Sequence, residues 1–218
     1  MDAYEKFSNC PDIGQMLDNI NGLMQPKGMY SACHGRYHAM YVVSVVENIL
    51  QSLSYDARTV ELGKIAALLH DIGNIAGRWN HARKSAALAS VLLDYPIHFS
   101  QEEKTMVIQA IEDHSAGKHV SSAVGAAVFI ADKADITKRR ILPSENIDPF
   151  HKNLMEIEDV EITVSGNAIT INYITSDSFC RDTLSEYLKK FEMSAKAAAY
   201  LGCTYHLQFN GVEEKIAI

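Results

Sequence analysis

No two of the four cysteines, Cys10, Cys33, Cys180 and Cys203, stand at C-x-x-C spacing, so the chain offers no disulfide framework. Its N-terminus also lacks a basic segment followed by an apolar stretch, the pattern of a signal peptide. A reducing, cytoplasmic location is therefore expected. Positive charge is in deficit: 20 Lys and Arg face 27 Asp and Glu, a formal net charge of −7. A general nucleic-acid binder needs a basic surplus to neutralise phosphates, so no nucleic-acid partner is expected, although a local basic patch is compatible with this balance. Long apolar runs are missing too. Crossing a bilayer takes roughly 20 apolar residues, whereas the best run, Ala39 to Val46, stops at Glu47 and Asn48, and no membrane partner is expected. What remains, 47% hydrophobic and 22% charged in 218 residues, suits a soluble globular protein of one good-sized domain, or one domain and a small appendage.

Spacings of three and four dominate the first two thirds. Residues 1 to 28 carry a weak helical pattern around Ile13, Leu17 and Ile20, closed by Pro26 and Gly28. A second helix from His38 to about Leu53 places His38 on the apolar stripe with Val42 and Val45. A third, from Asp56 as N-cap to His70, delivers His70 and Asp71 at its end, where Gly73 releases the chain into a turn. A fourth begins at His81 and ends by Tyr95-Pro96. Ser100 and Glu103 form a capping-box pattern for a fifth, which ends at His114 on the stripe of Val107 and Ile111. A sixth, about Val120 to Arg140, is so apolar in its middle that it is expected to be central. Asp132 and Asp135 follow Val128 at four and seven residues and share its inward face.

After Pro143 and Pro149 the period changes from helical to alternating. Ile162 and Val164, a turn at Gly166-Asn167, then Ile169, Ile171 and Tyr173 read as a hairpin. A helix from about Phe179 to Leu201 and an alternating segment from Thr204 to Phe209 complete a β-β-α-β appendage with a three-stranded sheet. The expected organisation is a mainly α protein: a helical domain over 1–142, a connection over 143–159 and the appendage over 160–218.

The chemistry concentrates in the helical part. His38, His70, Asp71 and Asp132 are able to close one metal site, and His81 and His114 a second beside it with Asp71 bridging. Any one histidine on an apolar stripe is more often a hydrogen-bonded core residue. Asp132 is harder to assign to the core, because an unpaired carboxylate among Ala, Val, Ile and Phe costs several kcal/mol. Mixed nitrogen and oxygen ligands suit one or two divalent transition-metal ions, iron or manganese first and nickel, cobalt or zinc after them, better than calcium. Such a site supports hydrolysis, with Asp71 and His70 at the reacting centre. Lys138-Arg139-Arg140 is usually a helix C-terminus complementing its dipole; one to two turns past Asp132, Arg139 and Arg140 are also placed to hold a substrate phosphate. Lys118, Arg78 and Arg83 are weaker candidates. His34, His98, His119 and His151 have no helical position that demands a site.

The pattern His38, 31 residues, His70-Asp71, 60 residues, Asp132 resembles the HD-domain metal-dependent phosphohydrolase superfamily over about residues 30 to 142. HARKSAALA and HSAG resemble the additional histidine positions of its two-metal branches, and HDIGN, ADKADITKRR and AAAYLGCTYHLQFNGVEE together look most like a bacterial family with an extra C-terminal α/β piece. The resemblance implies an all-helical HD bundle and a dinuclear metal site. It also implies a phosphomonoesterase or phosphodiesterase acting on a small phosphorylated molecule, a nucleotide above all; homodimer formation is left open. Asn74 stands where many of those hydrolases have a Lys. Two other classes stay open: an HD-type di-iron oxygenase, and a non-catalytic regulatory protein whose metal organises the fold.

Overall fold

The computed structural model describes residues 1–24, 32–94, 99–115, 119–142 and 149–215. Helices α1 (Ala3–Ser8), α2 (Pro11–Met24), α3 (Arg36–Ser52), α4 (Ala57–Leu69), α5 (His81–Leu92), α6 (Gln101–Asp113) and α7 (Ala123–Ala134) form the helical part. Their starts follow local chemistry. Asp56 accepts from the backbone N–H groups of Arg58 and Thr59, and Ser100 and Glu103 cap each other reciprocally, each arrangement satisfying N–H groups that have no partner inside the helix. Helix α7 is buried on all sides from Val124 to Asp132 and packs against α3, α4 and α6, as a helix apolar all round must.

Two expectations change here. The weak pattern at the N-terminus divides into α1 and α2, because Asp2 and Glu5 form a capping box of their own and Pro11 restarts the helix. The expected helix from 120 to 140 ends at Ala134. Asp135 leaves helical geometry (φ −82°, ψ 76°), and Lys138–Arg140 form a separate 3-10 turn. The run of three basic residues is thus detached from α7. The markers Pro26, Gly28, Tyr95-Pro96 and Pro143 lie outside the described residues.

Beyond α8 (Pro149–Leu154) come β1 (Ile157–Ser165), β2 (Ala168–Thr175), α9 (Ser185–Tyr200), β3 (Thr204–Phe209) and β4 (Val212–Glu214). The sheet runs in the order β1-β2-β3-β4, with β1 and β2 antiparallel, β2 and β3 parallel, and β3 and β4 antiparallel. It has four strands, not three. Asn210 and Gly211 both have positive φ, the geometry of a two-residue hairpin turn, and the return strand is too short to display alternation in sequence. The helix expected from Phe179 starts at Ser185, behind a 3-10 turn over Arg181–Leu184. A boundary at 160 falls inside β1. Alternate residues of β2, Ile169, Ile171 and Tyr173, are buried together with Leu207, Phe209 and Phe191 in a core continuous with the helices. Tyr173 donates its hydroxyl proton to the carbonyl of Ala134 at 3.1 Å, so the sheet is anchored to the end of the central helix. Among the described residues no helix is long and apolar enough to cross a membrane.

Candidate metal centre

Five helix ends, the starts of α3 and α5 and the ends of α4, α6 and α7, meet with the turn after His70 at a buried point. His38, in the first turn of α3, turns Nε2 toward His70 Nε2 at 3.2 Å and Asp132 Oδ1 at 3.2 Å. Its other nitrogen, Nδ1, donates to Asp135 Oδ2 at 2.7 Å. His70, just past α4, donates from Nδ1 to the carbonyl of Ala67 at 2.7 Å. A carbonyl only accepts, so the ring hydrogen is on Nδ1 and Nε2 is left with its lone pair. His114, just past α6, repeats the device on the carbonyl of Ile111. Its Nε2 lies 3.1 Å from His81 Nε2.

Asp71 stands between the two groups. Its Oδ2 lies 3.5 Å from His70 Nε2 and 3.8 Å from His38 Nε2, while Oδ1 lies 3.5 Å from His81 Nε2 and 3.7 Å from His114 Nε2. Oδ2 therefore faces His38 and His70, with His34 Nδ1 nearer still at 2.7 Å, and Oδ1 faces His81 and His114. Lone pairs converging at this spacing repel unless positive charge lies between them. Two donors each ~2.1 Å from one transition-metal ion stand roughly 3.0–3.4 Å apart, which the 3.1 and 3.2 Å separations meet. His38, His70 and Asp132 form one convergent set; His70, Asp71 and His114 form another. The donor chemistry fits one or two cations.

The turn after Asp71 makes this possible. A Cβ on Gly73 would stand 2.3 Å from the backbone nitrogen of Ser85 and 2.7 Å from the carbonyl oxygen of His81. Only a residue without a side chain lets the 3-10 turn over Ile72–Ala76 touch the start of α5. The Gly73 N–H donates to Ser85 Oγ at 2.8 Å, and His81 is thereby brought up to Asp71.

Electrostatics agrees with the donor roles. Burial pushes Asp71 upward, but the His34 and His70 charges outweigh it and its carboxyl falls well below the usual range. For Asp132 burial is likewise outweighed, by the Lys133 charge first. Burial lowers His34 to about 3, His81 to about 4, and His114 as well. These rings stay neutral at pH 7, as ligands must. His70 goes the other way, because Asp71 and Asp132 overcome its burial.

The structure thus gathers His38, His70, Asp71, His81, His114 and Asp132. It also adds His34, which the sequence analysis set aside: Nδ1 is 2.7 Å from Asp71 Oδ2 and 3.0 Å from Arg140 Nη2. His34 lies outside α3, so it belongs to no helical stripe; its four-residue spacing from His38 was the available signal. Asn21 of α2 holds it, accepting from the N–H groups of His34 and Gly35 at 3.0 and 3.1 Å. Asp135 was placed on the inward face, and its part is to orient His38.

The two arginines separate. Arg140 lines the cavity above the cluster, donating to the carbonyls of Cys33 and Asp135 at 3.0 Å each and standing 3.7 Å from Asp132 Oδ1. Arg139 turns away to Asp159 at 3.0 Å and lies over the Tyr41 ring. Arg139 is not among the residues that line the site cavity; once α7 ends at Ala134, the 3-10 turn sends it and Arg140 in different directions. Arg83 lines a different cavity, with Asn80 and Glu112. His119 is exposed and lines another cavity, not the one at the cluster, and Lys118 and His98 lie outside the described residues. Arg78, 3.4 Å from Asp71 Oδ1, lines the site cavity with Lys133, and α9 contributes Tyr187 and Lys190. The cavity measures about 120 Å³. Lys133 pairs with Asp132; Lys190 lies over the Tyr187 ring, 3.7 Å from its centre, and among the described residues meets no carboxylate. Asn74 is fully buried, and its Nδ2 meets no acceptor among the described residues.

A scan against protein-family models finds no match. A search of curated proteins also finds none. Among solved structures the chain is similar to a predicted HD superfamily hydrolase from an uncultured Thermotogales bacterium. The identity is 24% over 63% of this chain and 75% of that one, with a TM-score of 0.44. A likeness of that degree leaves the weight on the side chains. Their clustered His and Asp donors could hold a metal ion.

Proposed function

We propose that the protein is a metal-dependent hydrolase of a small phosphoester, a nucleotide among the candidates. The observation that carries this reading is the division of the Asp71 carboxylate between two imidazole groups beneath a cavity walled by cations. His38, His70, Asp71 and Asp132 would hold one ion, and His81 and His114 a second that shares Asp71; His34 is placed to join the first. A bound divalent ion lowers the pKa of its water from about 15.7 to as low as ~7, so hydroxide is available near neutral pH.

The protein's own groups do the rest. Asp135 and the Ala67 and Ile111 carbonyls fix three imidazoles with Nε2 forward, as outer partners of metal-binding histidines commonly do. Arg78, Lys133, Arg140 and Lys190 set positive charge around a space that admits a phosphoryl group. Charge fixed in advance where negative charge develops is usually the largest single contribution to catalysis. The cationic wall favours a phosphoester over a neutral organic substrate, and so favours hydrolysis over oxygenation. Lys133 and Lys190 supply charge that Asn74 does not.

The test is a phosphoester panel on protein purified without oxygen and loaded with manganese or iron. Phosphate release that depends on metal and is lost in Asp71→Ala is expected. Full metal loading with no turnover, or oxygen consumption in its place, would overturn the reading.

A further inference from the structure

The site cavity, at about 120 Å³, is below the ~300 Å³ at which sites for whole small molecules begin. It takes the reacting group, and the remainder of the substrate must lie elsewhere. A cavity of about 420 Å³ opens further along the same α7/α9 seam, lined by Phe129, Met193, Ala197, Lys189, Lys196 and His119 among others. The helices register the two spaces. Lys133 and Lys190 line the first; Phe129, four residues before Lys133, and Met193, three after Lys190, line the second. Each step is about one helical turn, ~5 Å. The Lys133 ammonium lies 5.4 Å from the centre of the Phe129 ring, so a single side chain separates them.

The chemistry of this groove differs from that of the metal cavity. Its floor is apolar: Phe129 and Ala197 are buried and Met193 is half-buried. Its rim carries the exposed Lys189 and Lys196 and, among the described residues, no carboxylate, in a chain with a net charge of −7. Among the described residues neither lysine has an ion-pair partner. We infer that the α7/α9 groove is a second subsite for the same substrate, taking an apolar, ring-sized body that carries a further anionic group away from the reacting phosphoryl. This rests on the phosphoester reading above. It assigns the C-terminal appendage a role in choosing the substrate.

Phosphonates, whose P–C bond resists hydrolysis, test it by calorimetry on the manganese-loaded protein. Methylphosphonate reaches only the metal cavity and serves as the reference. Phenylphosphonate should bind about 10-fold more tightly, the gain expected from removing most of one aromatic ring from water. 4-Phosphonobenzoate should gain about 3-fold more, typical of an exposed ion pair. Met193→Gln should bring the phenyl-to-methyl ratio close to 1. The exposed pair Lys189→Glu with Lys196→Glu should remove or invert the carboxylate's gain, and it keeps the test open if Met193→Gln does not fold. Equal binding of phenylphosphonate and methylphosphonate by the wild type, or ratios that survive these substitutions, would overturn the groove while leaving the metal site in place. Failure of every phosphonate to bind would overturn the phosphoester reading and the groove with it.

Discussion

At the scale of single residues, the cluster works because each imidazole is tied at its far nitrogen. Asp135 is the most exposed to test, since it touches His38 and not the place where a cation would lie. Asp135→Asn keeps the shape and removes the charge that holds His38 as an Nδ1 donor. Metal affinity should fall about 10- to 100-fold with little change in far-ultraviolet circular dichroism; an unchanged affinity by competition with a chelator would contradict the assignment. Lys190 gives a second test. Burial, followed by Lys133, lowers its pKa to about 8, so in the folded protein its charge is complete well below pH 8 and is lost as pH rises through about 8. Binding of sulfate, whose own charge does not change at these pH values, to the metal-free protein should weaken across that interval in the wild type. In Lys190→Met that inflection should vanish. Its persistence would assign it to another group. The depressed pKa also means that below pH 8 the lysine carries its full desolvation cost, which eases between about 8 and its ordinary value of 10.5.

At the scale of elements, the decisive contact is between the turn after Asp71 and the start of α5. Gly73→Ala would push a methyl group into the backbone of Ser85 and His81, with an overpacking cost of about 1–3 kcal/mol. His81 should move away from Asp71 while His38, His70 and Asp132 stay together. We expect a lower melting temperature and selective loss of the second equivalent of metal; loss of both equivalents together would show that the turn supports the whole cluster. Most of these elements were legible in sequence. The three-four spacings located α3 through α7, and Asp56 and Ser100 marked true caps. The end of α7 was not legible, because Asp135 leaves the helix to reach His38, a residue 97 positions away, and no local propensity reports such a bond. For the same reason Arg139 and Arg140 read as one phosphate-binding pair. His34 was hidden by lying just outside a helix, where periodicity gives no information.

At the scale of the molecule, the appendage is part of the site. Its alternation was visible in sequence, but its contribution of Tyr187 and Lys190 was not, because those residues lie on a helix whose packing partner is set by tertiary contacts. The shared core and the Tyr173 hydrogen bond to Ala134 place the sheet and the metal cluster at the same end of α7. The central claim is that Asp71 joins two metal positions, and metal stoichiometry by elemental analysis after anaerobic loading with iron or manganese tests it most directly. The wild type should hold two metals per chain, the variant with both His81→Ala and His114→Ala about one, and Asp71→Ala close to none, with all three folded. A wild type that never exceeds one metal per chain would contradict the account and return His81 and His114 to substrate-binding or structural roles.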